Sequence, residues 1–190
     1  MNALHHAHWP VGVPRHLSLP QTSLFYNAEV AATRFPDKPF IIFYDTPVSF
    51  AEFRDEAERI AGFLQQECEV KAGDRVLLYM QNSPQWVLAY YGILRANAVV
   101  VPVNPMNMTD EVRHYVEDSG ATTAIVPQDL YPQIEPLLGE APGQGLKYAI
   151  VATYSDYLKR PSSITPPEFE IEPAPLRVSV PAASIVVVPE

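Results

Sequence analysis

His114 lies between Arg113 and Tyr115 with Glu117 and Asp118 close behind, and a histidine near carboxylates is raw material for general acid–base chemistry. The spacing argues against that use. The segment has a helical pattern, and neighbours on a helix point about 100° apart, so Glu117 and Asp118 cannot share one substrate atom. His114 has no partner identifiable from spacing, so a partly exposed helix histidine is a better reading than a general base. Cys68 is the single cysteine and sits between Glu67 and Glu69, whose charge raises a thiol's pKa and makes it a poor nucleophile. The eight glycines form neither GxGxxG nor GxxxxGK[ST]; Gly143-Gln144-Gly145 comes nearest and leads into no clean helix. No GxSxG elbow presents a serine. His5, His6 and His8 resemble a metal-binding tract without the second ligand pair a structural zinc site needs, and a frayed terminus explains them better. The residues alone therefore describe an α/β domain with no complete catalytic, cofactor or metal site.

Composition narrows the class. A chain of 190 residues that is 47% hydrophobic can bury a real core. Its formal net charge of -9 speaks against a nucleic-acid partner, which needs a basic face. One cysteine forbids an internal disulfide and gives no sign of an oxidising compartment. No run approaches the ~18–20 apolar residues of a membrane span. The first residues carry Pro10 and Pro14 and lack the apolar stretch of a signal peptide, so a cytoplasmic protein is expected.

Alternating helix and strand patterns predict an α/β fold: a mainly parallel sheet flanked by helices. A flexible terminus over 1–21 leads to a helix from Ser23 to Arg34 with Leu24, Phe25, Ala28, Ala31 and Ala32 on its apolar stripe. A strand over 39–45, a turn at Asp45-Thr46-Pro47 and a return strand over 48–50 follow. Ser49 and Glu52 make a capping box for a helix reaching about Glu67. A strand over 75–80 precedes a helix over 84–96, with Ser83 as its cap and Pro84 in its first turn. Gly92 inside that helix marks a close helix–strand approach. Asn97 stands where a left-handed residue is wanted, and 98–103 reads as a fully buried strand. Thr109 caps the next helix, Gly120 closes it, and 122–126 is a strand. Pro132 and Pro136 break a helix over 128–138. Residues 139–145 read as a loop and 147–152 as a strand. From Pro161 seven prolines in thirty residues predict a connecting segment with short edge strands at 178–180 and 185–188.

Four segments carry a resemblance. L-R-A-N-A-V-V-V-P-V-N-P, Leu94 to Pro105, is similar to the second core motif of the adenylate-forming superfamily, with Asn97 at its usual glycine. V-S-F-A-E-F, Val48 to Phe53, looks like the first core motif, followed by a helix that ends near A-G-D-R-V at Ala72 to Val76. M-Q-N-S-P-Q-W, Met80 to Trp86, and E-V-R-H-Y-V-E-D-S-G-A, Glu111 to Ala121, resemble the acyl-CoA synthetases of that superfamily. Together they cover about 22–130, and four motifs in order at family spacing are specific where one is weak.

The resemblance, which is to bacterial fatty-acid ligases, implies the N-terminal portion of an acyl-CoA synthetase: 22–160 as an α/β subdomain and 161–190 leading toward a phosphate loop. It implies ATP, Mg2+, coenzyme A and a medium- or long-chain fatty acid as the reaction's components. The family's T-S-G-T-T-G-x-P-K-G loop, Y-G-x-T-E motif, ribose-binding aspartate and C-terminal lysine are absent. No catalytic, cofactor or metal residue therefore transfers to this chain, which is expected to bind no cofactor and to be inactive by itself. Asn104, Pro105, Met106 and Asn107 are candidates for lining an acyl pocket, against the plainer reading of a proline-fixed turn. An aryl-acid or amino-acid activating enzyme on the same fold remains open, as does a non-catalytic α/β binding module. Apolar surface left uncovered by an absent half would favour self-association.

Overall fold

The computed structural model describes residues 4–139, 145–168 and 185–187. The first helix, α1 (Leu24–Arg34), is capped by Ser23, whose Oγ accepts the Tyr26 N–H at 3.2 Å. Its buried stripe is Phe25, Ala28 and Ala32; Leu24, expected to belong, is exposed because the stripe lies one residue round the helix from it.

Strands β1 (Pro39–Phe43) and β2 (Thr46–Ser49) form an antiparallel hairpin. Its turn is not Asp45-Thr46-Pro47. Tyr44 and Asp45 turn the chain with φ of 43° and 62°, the geometry of a two-residue hairpin, and Phe43 pairs directly with Thr46. Pro47 misled because it reads as a turn residue, yet both strands of a two-stranded ladder are edges, where its missing N–H is tolerated. The capping box at Ser49 forms as its spacing predicts. Glu52 N–H donates to Ser49 Oγ at 3.2 Å and Ser49 N–H to Glu52 Oε2 at 2.7 Å, which starts α2 (Phe50–Gln66).

Next come β3 (Arg75–Tyr79), α3 (Pro84–Arg95), β4 (Val99–Val103), α4 (Thr109–Ser119), β5 (Thr123–Pro127), the short α5 (Tyr131–Ile134), β6 (Tyr148–Ala152) and β7 (Ile185–Val187). The broken helix predicted around Pro132 and Pro136 is α5 followed by a 3-10 turn over Glu135–Leu137. The sheet order is β4-β3-β5-β6-β7, with every pair parallel. Of the two proline-rich-tail strands, Ile185–Val187 pairs with β6 and 178–180 lies outside the described residues, as does 140–144 of the predicted loop.

Strand periodicity assigns the two faces of the sheet. Val76, Leu78, Ile125 and Ile150 face Ala61, Leu64, Ala89 and Ile93 of α2 and α3. The alternate residues Leu77, Tyr79, Ala124, Val126, Ala149 and Val151 face Val112 and Val116 of α4, with Ile134 and Leu137. Outside α2 and α3 a third layer joins Ala28, Val48, Phe53 and Leu88, so the hairpin and α1 pack on helices rather than on the sheet.

Three local expectations change. The strand over 98–103 is not fully buried: β4 is an edge among the described strands, and Val99 is 47% exposed. A run of valines reads alike in centre and edge strands, and Pro102, without an N–H, suits the edge. Gly92 marks a helix–helix approach instead of a helix–strand one, because an added Cβ would lie 2.6 Å from Ile60 Cγ2 and 3.2 Å from Ala57 O, both on α2. Thr109 does not cap α4. Met108 holds the cap position, its N–H donating to Glu111 Oε2 at 2.8 Å, while Thr109 turns to Gln133.

Beyond β6 the chain returns to the hairpin. Tyr157 donates its hydroxyl to Glu56 on α2. Ser162 Oγ and the Ser163 N–H reach Asp45 Oδ2 at 2.8 and 3.1 Å. These two donors, the serine hydroxyl first, hold the Asp45 carboxyl below its ordinary value. Among the described residues no helix is long and apolar enough to cross a membrane.

Candidate functional site

In an open parallel sheet, ligands are received outside the carboxyl ends of the strands, at the point where strand order reverses. Here the chain steps from β3 outward to β4 and then back across β3 to β5, which puts the reversal between β3 and β5. Four connections meet that edge: 80–83, 104–108, 128–130 and Thr153.

Polar side chains tie these connections together. Gln81 N–H donates to Tyr154 Oη at 3.0 Å. Gln85 Nε2 donates to the Thr153 carbonyl at 2.6 Å, and Thr153 Oγ1 to Gln128 Oε1 at 3.4 Å. Gln85 is only 9% exposed and its Oε1 has no hydrogen-bond partner, a buried acceptor left open at the carboxyl edge. Tyr79, the last residue of β3, is fully buried and donates its hydroxyl to the Asn107 carbonyl, with the Pro105 carbonyl at 3.4 Å. Burial, with the Asp129 and Glu111 carboxylates behind it, raises the Tyr79 pKa, so the phenol is a donor throughout the physiological range.

The candidate residues Asn104, Pro105, Met106 and Asn107 lie together on the connection after β4. Asn104 Oδ1 accepts the Met106 N–H at 3.0 Å and the Asn104 carbonyl accepts the Asn107 N–H at 3.0 Å, a side-chain-stabilised turn. Met106 is 83% exposed. His114 is elsewhere, exposed on α4 beside the Tyr115 ring, and Glu117 and Asp118 are exposed on the same helix. Sequence reasoning overlooked Tyr79 and Gln133, which fall in no motif, and gave Gln85 no role although it lies within the M-Q-N-S-P-Q-W segment. The available signal was position: Tyr79 ends β3, while Gln85 and Gln133 stand on the helices that follow β3 and β5.

Among the described residues no three His, Cys, Asp or Glu side chains come together to hold a metal ion. The described carboxyl edge carries no glycine-rich loop of the kind that cradles a nucleotide phosphate. Cys68 is 3% exposed and its thiol is pushed up to about 12, by burial first and the Glu67 charge second. The flanking charge expected to govern it is thus the lesser cause. At pH 8 only about one thiol in ten thousand would be ionised. Ellman's reagent should therefore leave Cys68 unmodified in the folded chain and react fully in denaturant. The raised value also fixes a sign: the neutral thiol's contribution to stability is whole below its ordinary 9.0 and is lost as pH rises toward about 12.

The family model described as AMP-binding enzyme matches residues 28–182. The chain belongs to the AMP-binding enzyme family. The long-chain-fatty-acid–CoA ligase of Bacillus subtilis is 35% identical over 128 residues, 67% of this chain and 22% of that protein. Its counterpart in Salmonella typhimurium is 32% identical over 151 residues, 79% of this chain and 26% of that protein. The crystal structure of a long-chain-fatty-acid–CoA ligase from Archaeoglobus fulgidus superimposes with a TM-score of 0.64 at 28% identity, covering 76% of this chain and 30% of that one. The chain spans about a quarter of the length of the curated relatives it matches.

The motif segments of this AMP-binding family member now have physical roles. Ser49 and Ser83 accept helix N–H bonds at the starts of α2 and α3. Asn97, at φ 62°, and Gly120, at φ 65°, reverse the chain after α3 and α4. The motifs within this chain thus specify helix caps and left-handed turns: Ser83 lies at the carboxyl edge of the sheet, whereas Asn97 and Gly120 precede β4 and β5 at its amino edge.

Proposed function

We propose that this chain is the N-terminal α/β portion of a cytoplasmic acid–thiol ligase that activates a fatty acid with ATP and passes it to coenzyme A. A carboxylate oxygen attacks the α-phosphorus of Mg-ATP, the bond to the β-phosphate breaks, and pyrophosphate leaves. The sulfur of coenzyme A then attacks the acyl carbon and AMP departs with the electron pair. Residues 22–160 serve as the subdomain that builds the sheet edge, 161–190 as the connection beyond it, and Asn104 to Asn107 as part of the acyl-binding wall. The phosphate-handling groups lie outside this sequence, so the chain alone does not catalyse. Exposed Leu24, Phe35 and Ile42 provide apolar surface through which it self-associates when alone.

The observation that carries this reading is the 35% identity to a long-chain-fatty-acid–CoA ligase over two thirds of the chain. Its test is thioester formation by the protein expressed from its complete reading frame, with octanoate, palmitate, benzoate and a set of amino acids. Palmitate and octanoate should support thioester formation best. Preference for benzoate or an amino acid would replace the fatty-acid assignment with an aryl-acid or amino-acid one. No turnover with any acid would leave the non-catalytic module.

A further inference from the structure

We propose that Tyr79 and Gln133 are positioning residues that clamp the Asn104–Met108 connection, Tyr79 at carbonyls within it and Gln133 at Thr109, the first residue of α4 immediately after it, and so present Met106 and Met108 as an apolar ledge to the acyl chain. The acyl assignment rests on the fatty-acid reading above. The clamp rests on geometry. Tyr79 is fully buried against α4 and its neighbours, a place where phenylalanine would give the same packing. Its hydroxyl instead reaches two carbonyls of the connection, Asn107 and, at 3.4 Å, Pro105. On the far side, Gln133 Oε1 accepts both the Thr109 N–H at 3.1 Å and the Thr109 hydroxyl at 2.8 Å. Between the clamps the Asn104 side chain closes the turn on Met106.

On the backbone held this way Met106 and Met108 are both exposed, at 83% and 60%. Methionine is unbranched and polarisable, able to follow an alkyl chain without a preferred rotamer. A linear acyl chain needs contact area and no hydrogen bond, which is what this ledge offers at the carboxyl edge of the sheet.

Hydrogen exchange on the 190-residue chain tests the clamp. Tyr79→Phe should speed exchange at the Met106 and Asn107 amides roughly threefold to tenfold, the loss expected for one hydrogen bond, with the β3 and β5 amides unchanged. Gln133→Leu should do the same at Thr109, and Gln133→Glu, which keeps an acceptor, should restore the slow rate. In the protein from the complete reading frame, Tyr79→Phe should shift the palmitate-to-octanoate ratio of kcat/KM roughly threefold while the KM for ATP stays put. Unchanged loop amides would overturn the clamp. A loosened connection with an unmoved chain-length ratio would overturn its role toward the acyl group. An unsubstituted protein inactive on every fatty acid would count against the ligase reading and the acyl role together, and the exchange rates would still decide the clamp.

Discussion

Phe53→Ala should destabilise the chain by about 3–5 kcal/mol, the usual cost of emptying a buried aromatic site. Phe53 projects from α2 and is fully buried where three elements meet. Its ring lies 4.6 Å from Phe40 of the hairpin and 5.2 Å, edge to face, from Tyr91 of α3. Truncation therefore removes burial and two aromatic contacts at once. The sheet lies on the other side of α2 and α3, so the remaining cavity should not close by its collapse. Urea unfolding followed by circular dichroism reads the effect as a lower midpoint. Phe53→Leu, which keeps most of the volume, should lose less than half as much.

Gly92→Val tests the same helix pair from the opposite direction, by filling rather than emptying. The α2–α3 approach leaves no room for a Cβ: one would stand 2.6 Å from Ile60 Cγ2, 2.8 Å from Ile60 Cβ and 3.2 Å from Ala57 O. Ile60 is β-branched and stiff, and the Ala57 oxygen is backbone, so neither can swing aside cheaply. Overpacking of this kind costs about 1–3 kcal/mol for one or two methyl-sized groups, and valine adds more than the first. Gly92→Ala is the informative companion, because alanine gains about 1 kcal/mol of helix propensity that offsets part of the clash. The expected order of thermal midpoints is Gly92, then Ala, then Val. Equal midpoints for Gly92 and Val would mean that the helices separate freely.

Both positions show how far the sequence could be read. Phe53, Ala57, Ala61 and Leu64 are the buried residues of α2, a 3.6-residue apolar period that any single helix shows in its sequence. Gly92 stood out as a close approach, but its partner did not. Choosing between a strand and α2 needs tertiary packing that no local pattern contains. The same limit applies to β4. Five residues of valine and proline specify a strand, whereas edge or centre depends on the order β4-β3-β5-β6-β7. Caps were legible at Ser49 and Ser83, where a side chain bonds within three residues, though Ser23, which bonds Tyr26 in the same way, was read only as the start of its helix. Thr109 looked like a cap and was not, because Gln133, twenty-four residues on, takes its hydroxyl.

The candidate site was legible only in part. The turn at Asn104 to Asn107 was legible because proline and asparagine announce a turn after a strand, and its part in an acyl pocket is the proposal made above. The residues that hold that turn, Tyr79 and Gln133, come from β3 and α5, and only the fold brings them to it. The absence of a phosphate loop needed no structure, since glycine spacing is a local property.

On the function proposed above, this chain is the scaffold of an adenylating ligase whose phosphate chemistry requires residues it does not contain. Fatty-acid-dependent ATP–pyrophosphate exchange, measured side by side on the 190-residue chain and on the protein from the complete reading frame, tests it most directly. Exchange above blank with palmitate is expected for the protein from the complete reading frame and none for the 190-residue chain. Exchange by the shorter chain alone, or none by either, would contradict it.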